Sequence, residues 1–303
     1  MTPLDIRPAV QDALRLGRPV VALESTLISH GLPWPTNLET ARAAEDAVRS
    51  AGAIPATIAI LAGRPTVGLD GTELESLARG GEVRKASRRD LGVAIAQKAT
   101  AATTVSGTML LAELAGIFVF ATGGIGGVHR GDGFDVSADL VELGRTPVCV
   151  VCAGAKSILD LAATLEVLET HGVPVIGYRT DTFPSFYTRS SGLPVSARVD
   201  SASEAAAVLE AHWSLSRTGV VLALPIAEAD ALEENDLARA IDSGEREAIR
   251  LGVRGAALTP FLLAHLARAT GGRTLKANRA LVVANAGLAG EVAVAWALRG
   301  GRS

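Results

Sequence analysis

The chain has only four lysines, Lys85, Lys98, Lys156 and Lys276, among 29 basic residues; the others are arginines. Lys156 lies in Cys152-Ala-Gly-Ala-Lys156-Ser157-Ile158-Leu159-Asp160, between a run that reads as a buried strand and one that reads as a helix start. Burial and a helix N-terminus both disfavour a cation, so both push this amine toward its neutral, nucleophilic form. Bringing a lysine pKa from about 10.4 to about 7 represents roughly 4–5 kcal/mol of differential stabilisation. A Schiff-base nucleophile accounts for that cost better than a structural lysine does, and arginine cannot take the role because it keeps its proton. Gly-Ala-Lys-Ser is not a P-loop, which needs glycines where Val150 and Ala155 stand.

Three further clusters carry residue types that do chemistry. Leu23-Glu24-Ser25-Thr26 closes an apolar run and leads into Ser29-His30-Gly31-Leu32-Pro33. A glutamate in that place is either a partnered core carboxylate or an acid/base group. Lys85-Ala86-Ser87-Arg88-Arg89-Asp90 reads as a solvated charge run capping the next helix, or as an anion site built from Lys, Ser, Arg and helix-start N–H groups. Thr122-Gly-Gly-Ile-Gly-Gly127-Val-His129-Arg130-Gly131 is a glycine-rich turn, either simply tight or shaped for close approach of a ligand. It is not a dinucleotide fingerprint, because His129 stands where the last glycine belongs. Just beyond it, Asp135 and Asp139 are four apart and would share a helix face, suiting a hard divalent ion bound through oxygen and water. The alternative is that Asp135 or Ser137 caps the helix running to Gly144.

These clusters need a scaffold that brings strand ends together. Continuous apolar runs at 19–23, 55–61, 118–121, 148–153, 173–178 and 220–224 read as strands, with 66–69 a hairpin partner across Gly63-Arg64-Pro65. Helical patterns cover 37–51, with Asn37 near its cap, and 89–102, 108–115, 158–170 and 202–214; from Ala227 onward the chain reads as helix. Strands apolar on both faces and separated by helices predict a three-layer α/β/α fold with a mostly parallel central sheet and a helical C-terminal portion. One domain over 1–303 is the simplest division. In such sheets ligands gather at the carboxyl ends of the strands, where all four clusters fall. The stretch 181–194, rich in Pro, Gly and Ser with aromatics and arginines, reads as a functional loop.

Composition narrows the function classes. Hydrophobic residues are 48% and charged residues 20%, enough for a substantial core and contrary to disorder. A net charge of −3 argues against a nucleic-acid partner. No apolar run reaches the roughly 18–20 uncharged residues of a membrane span, and Met1–Arg18 has no secretory pattern, so a cytoplasmic location is expected. Cys149 and Cys152 match C-x-x-C, but on a buried strand they would face opposite ways and read as structural thiols.

Taken together, these segments resemble the pseudouridine-5′-phosphate glycosidase family. The resemblance is carried by 21–33 (Val-Ala-Leu-Glu-Ser-Thr-Leu-Ile-Ser-His-Gly-Leu-Pro), 55–61, 85–90 and Thr-Thr-Val-Ser from 103. It continues through 120–131, Phe134-Asp-Val-Ser-Ala-Asp-Leu140, 152–160, 187–194 and Thr259-Pro-Phe-Leu-Leu263, nearly the whole chain in order. It implies reversible cleavage of the C–C glycosidic bond of pseudouridine 5′-phosphate to uracil and ribose 5-phosphate. Lys156 is then implied as the nucleophile forming an imine at C1′, and Glu24 as the proton donor. Lys85, Val105, Ser137, Ala138 and Asp139 are implied as substrate contacts, His129 and Asn278 as active-site lining, and Asp135 as the ligand of Mn²⁺. A homotrimer is also implied. The family pattern is departed from at Ala284-Asn285, where paired asparagines are expected, and at Lys276, where a more neutral residue is expected. Two other readings stay open: a Schiff-base aldolase acting on another pentose phosphate, and a non-catalytic sugar-phosphate or nucleotide sensor.

Overall fold

Apolar runs buried along their whole length form the centre of the molecule. The structure, a computed structural model, describes residues 4–131, 135–255 and 258–301; Phe134 of the sequence segment quoted above lies outside them. The strands are β1 (Asp5–Ile6), β2 (Val20–Leu23), β3 (Ile54–Leu61), β4 (Arg64–Val67), β5 (Val83–Ala86) and β6 (Thr100–Thr103). They continue with β7 (Val119–Ala121), β8 (Val128–His129), β9 (Cys149–Cys152), β10 (Leu159–Asp160), β11 (Val175–Tyr178), β12 (Ala197–Val199) and β13 (Val220–Ala223). The helices are α1 (Pro8–Arg15), α2 (Thr36–Ser50), α3 (Gly71–Arg79), α4 (Arg88–Ala96), α5 (Val105–Ala115) and α6 (Ala138–Leu143). After them come α7 (Leu161–Thr170), α8 (Ala202–Leu215), α9 (Glu234–Leu251), α10 (Leu258–Ala269) and α11 (Arg273–Leu298).

The order β3-β2-β7-β9-β13-β11-β12 is parallel throughout. All four residues of β2, β9, β11 and β13 are buried, as expected of strands covered on both faces. Helices flank the sheet: α11 crosses β2, β7 and β9 and packs on α2 and α8, while α5 lies against β2 and β3 beside α6. By length and composition α11 could cross a membrane, but half of its most apolar window is buried in this core. The fold class read from the sequence is the one observed.

β3 is long because it serves two sheets. Its first half pairs parallel with β2, and its second half pairs antiparallel with β4 on one side and β6 on the other. Where β3 leaves β2, hydroxyls replace strand pairing. Ser25 Oγ donates to Ile58 O at 2.7 Å and accepts from Thr103 N at 2.9 Å, while Thr103 Oγ1 donates to the same carbonyl. The side chains are buried, so these bonds satisfy groups that would otherwise be costly. This branch places the end of β2 opposite β5 and β6.

Four expectations are corrected. The helix over 89–102 stops at Ala96, and Thr100–Thr103 is β6; Thr-Ala-Ala-Thr is too short for periodicity to separate helix from strand. Lys98, inside the helix expected over 89–102, takes a left-handed backbone (φ 52°) in the turn between them. The charge run around Lys85 includes β5, an edge strand that among the described residues pairs only with β6. Asn37 does not cap α2; its buried amide donates to Ile28 O and Ala78 O at 2.7 Å each. The thiols of Cys149 and Cys152 are buried on β9 and free, matching the structural reading.

Candidate active site

The carboxyl ends of β2, β7 and β9 converge, and each carries one reactive group. Glu24 follows β2, Thr122 follows β7, and Lys156 lies four residues beyond β9. The Thr122 hydroxyl donates to Glu24 Oε1 in a short contact. Glu24 lies deep in the chain but keeps an edge open to solvent. Burial raises its pKa, and the Asp139 charge adds to this; Lys156, the Thr122 hydrogen bond and Lys85 oppose it. A carboxyl so placed keeps its proton to higher pH than usual, the property of a general acid.

Lys85 reaches the same cluster from β5. Burial and then the Lys156 charge lower its pKa, against Asp139 and Glu24. Glu24, Lys85, Lys156 and Asp139 therefore share one field. His129, on β8, is lowered by burial and by both lysines, with Asp135 opposing.

Lys156 is half-buried, but it is not at a helix N-terminus. Helix α7 begins at Leu161, capped by Asp160, whose carboxylate accepts from Ala163 N at 2.9 Å. The helix start expected at Lys156 is thereby corrected to Leu161. Lys156 instead sits in a turn: its N–H donates to Ile125 O at 3.2 Å, and its carbonyl accepts from Leu159 N at 3.0 Å.

Asp139 holds the site's frame. It is 6% exposed, and its oxygens accept from Ser106 N at 3.0 Å and Gly126 N at 2.9 Å. It thereby ties α6 to the start of α5 and to the glycine-rich turn. Ser137 is the N-cap of α6, accepting from Asp139 N, with Ala138 exposed beside it. Val105 is buried at the first turn of α5 behind its cap Thr104.

The glycine-rich turn is shaped by protein. A Cβ on Gly126 would fall 2.6 Å from Ser137 Cβ and 2.8 Å from Asp139 Oδ2, and one on Gly127 would collide with Thr164. The N–H groups of Ile125 and Gly126 are spent on Gly154 O and Asp139. Close packing of backbone explains these two glycines.

The run 85–90 divides its roles. Asp90 accepts from Ser87 N and closes the start of α4, Arg89 is exposed, and Arg88 Nη1 donates to the fully buried Glu142 at 2.7 Å. Only Lys85 of that run joins the cluster.

Two asparagines of α11 complete the frame. Asn285 Nδ2 donates to Thr122 O at 2.8 Å and Gly123 O at 3.2 Å, which fixes the turn carrying Thr122. Asn278 is buried beside Gly123, its Oδ1 without a hydrogen-bond partner among the described residues. Lys276, the unexpected cation nearby, faces outward to Asp230 at 3.4 Å. Sequence reading missed Thr122 and Asn285; the signal for Thr122 was its place directly after a buried strand.

Asp135 lies before α6 and not on it, so the shared helix face with Asp139 does not form. Among the described residues no three His, Cys, Asp or Glu side chains gather to hold a metal ion. Asp135 is half-exposed at a cavity of about 700 Å³ that His129 and Arg130 also line. One accessible carboxylate with water completing the shell fits a hard divalent ion.

The chain matches, over residues 9–295, the family model described as indigoidine synthase A like protein. A pseudouridine-5′-phosphate glycosidase of Caldanaerobacter subterraneus subsp. tengcongensis is 55% identical over 294 residues, 96% of each chain. One of Chloroflexus aurantiacus is 56% identical over 302 residues, covering 96% of this chain and 98% of the relative. Among solved structures, the prealnumycin C-glycosynthase AlnA in complex with ribulose 5-phosphate superposes with a TM-score of 0.92 at 44% identity, over 99% of both chains. An indigoidine synthase A-like protein of Thermotoga maritima gives 0.88 at 39% identity, over 96% of this chain and 95% of the other. An acid, an amine and a second lysine at converging strand ends, in a chain so closely related along its length, lead to one assignment: the chain belongs to the pseudouridine-5′-phosphate glycosidase family.

Proposed function

We propose that the chain reversibly cleaves the C–C glycosidic bond of pseudouridine 5′-phosphate to uracil and ribose 5-phosphate, with Lys156 as nucleophile and Glu24 as proton donor. The observation that carries this is the Glu24–Lys156–Lys85 cluster, with a carboxyl biased toward its protonated form beside an amine. A C–C bond has no heteroatom leaving group, so protonating an exocyclic oxygen cannot break it. Glu24 protonates the ring oxygen as the ribose opens, and Lys156 Nζ bonds to C1′. The attacking nitrogen sheds a proton to the Glu24 carboxylate, its lone pair then forms C=N as the C1′–C5 bond breaks, and Glu24 returns that proton to C5 of uracil. Water hydrolyses the imine, freeing Lys156 and ribose 5-phosphate.

Lys85 and the main chain at Val105 and 137–139 suit the anionic end of the substrate, and His129 and Asn278 line the site. Asp135 would hold Mn²⁺, which supplies divalent positive charge through its water shell. The C-glycosynthase relative, crystallised with ribulose 5-phosphate, supports a pentose phosphate as the sugar half. A homotrimer and a cytoplasmic location complete the proposal; exposed Leu215, Ile249 and Leu298 leave apolar surface that subunit packing could cover. Incubation with pseudouridine 5′-phosphate should release uracil, and Lys156→Ala should abolish release. Turnover by that variant would sink the mechanism.

A further inference from the structure

The turn that carries Lys156 has no helix or long strand to hold it. Its main chain, Lys156-Ser157-Ile158-Leu159, is closed by Leu159 N to Lys156 O and tied to the glycine-rich turn by Lys156 N to Ile125 O. Arg130, directly after β8, adds a side-chain tie to the carbonyls that these bonds leave. Its Nε donates to Leu159 O at 3.3 Å and its Nη2 to Ser157 O at 3.1 Å, so one guanidinium spans the carbonyls on either side of Ile158. Strand β8 pairs antiparallel with β10, which brings Arg130 alongside this turn. The hydroxyl of Ser157 is held separately, donating to Ser185 O and accepting from Tyr187 N.

Arg130 is exposed, yet its guanidinium is directed at two neutral carbonyls. Glu245 of α9 lines the same cavity as Arg130, His129 and Asp135, and the Arg130 charge favours its carboxylate. A planar fork with separated donors is what Arg offers and Lys does not.

We infer that Arg130 is a positioning residue for Lys156: it fixes the turn so that the amine is presented to C1′ of the substrate. This rests on Lys156 being the imine-forming group. Misplacement of a reacting group by about 1 Å costs on the order of 100-fold, and partial loosening costs less. Arg130→Ala should therefore lower kcat, and the rate at which borohydride traps ribose 5-phosphate on Lys156, by about 10- to 100-fold. KM for pseudouridine 5′-phosphate should stay within about threefold, because this role leaves ground-state binding intact. Arg130→Lys, able to reach one carbonyl, should recover part of the trapping rate. A thermal midpoint within about 2 °C of the parent, as for a surface change, excludes general unfolding as the cause. An undiminished trapping rate in Arg130→Ala would overturn the inference, as would a raised KM with kcat unchanged, which marks a direct substrate contact. Absence of trapping in the unaltered chain would instead overturn the Schiff-base reading and the inference with it.

Discussion

Replacing Asp139 with Asn changes one charge and one oxygen, and the structure says what each should do. Two buried N–H groups, from Ser106 and Gly126, converge on this carboxylate. The amide of Asn offers one acceptor and one donor, so one N–H loses its partner and meets another donor. An unsatisfied buried donor costs about 1–3 kcal/mol. Asp139 also sits in the first turn of α6, where losing a negative charge costs about 0.3–1 kcal/mol more. For a chain of 303 residues the unfolding entropy is about 0.6 kcal/mol/K, so Asp139→Asn should lower the thermal midpoint by about 2–6 °C. The second effect is on pH. The Asp139 charge helps raise the pKa of Glu24 and also supports protonation of Lys85, so its removal lowers both. A proton donor is active while protonated and fails as pH rises through its pKa. The high-pH limb of kcat/KM for uracil release should therefore move to lower pH. Differential scanning calorimetry and a pH–rate profile on one preparation test both parts. An unchanged midpoint, or a limb that stays still or moves to higher pH, would refute the reasoning.

Other perturbations have equally definite outcomes. Gly126→Ala puts a methyl against Ser137 and Asp139 and should destabilise by about 1–3 kcal/mol, read as a lower denaturation midpoint. Burial pushes the Cys152 thiol up to about 12 and that of Cys149 higher still, so iodoacetamide at pH 8 should label neither thiol until the chain is unfolded. Asp135→Asn should weaken Mn²⁺ stimulation of uracil release by about 10-fold or more in metal titrations, while leaving the thermal midpoint of metal-free protein close to the parent's, because the Asp135 side chain is half-exposed.

The central strands were legible because each is a continuous apolar run, and Glu24 and Lys156 were legible as polar residues interrupting the ends of such runs. β5 and β6 were not. Arg84 and Lys85 make β5 look like solvated charge, and Thr100–Thr103 becomes a strand only because β3 outruns β2 and offers it an edge. The glycine-rich turn was visible, but whether Gly126 faces a ligand or Asp139 depends on α6, thirteen residues on. Lys156 stood out as one of four lysines, but the helix start expected beside it lies five residues further on. Its neighbours are Glu24 and Lys85, brought from 132 and 71 residues away, and not the start of α7. Spacing along the chain cannot show such long-range neighbours, and for the same reason Arg88 looked like an anion ligand when its partner is Glu142.

Everything chemical here turns on the amine of Lys156. The most direct measurement is to reduce the chain with borohydride in the presence of ribose 5-phosphate and map the adduct by peptide mass spectrometry. The expected result is one pentose phosphate per chain, attached to the peptide that contains Lys156. Adduct on Lys85, or none at all in a preparation that releases uracil, would contradict the assignment.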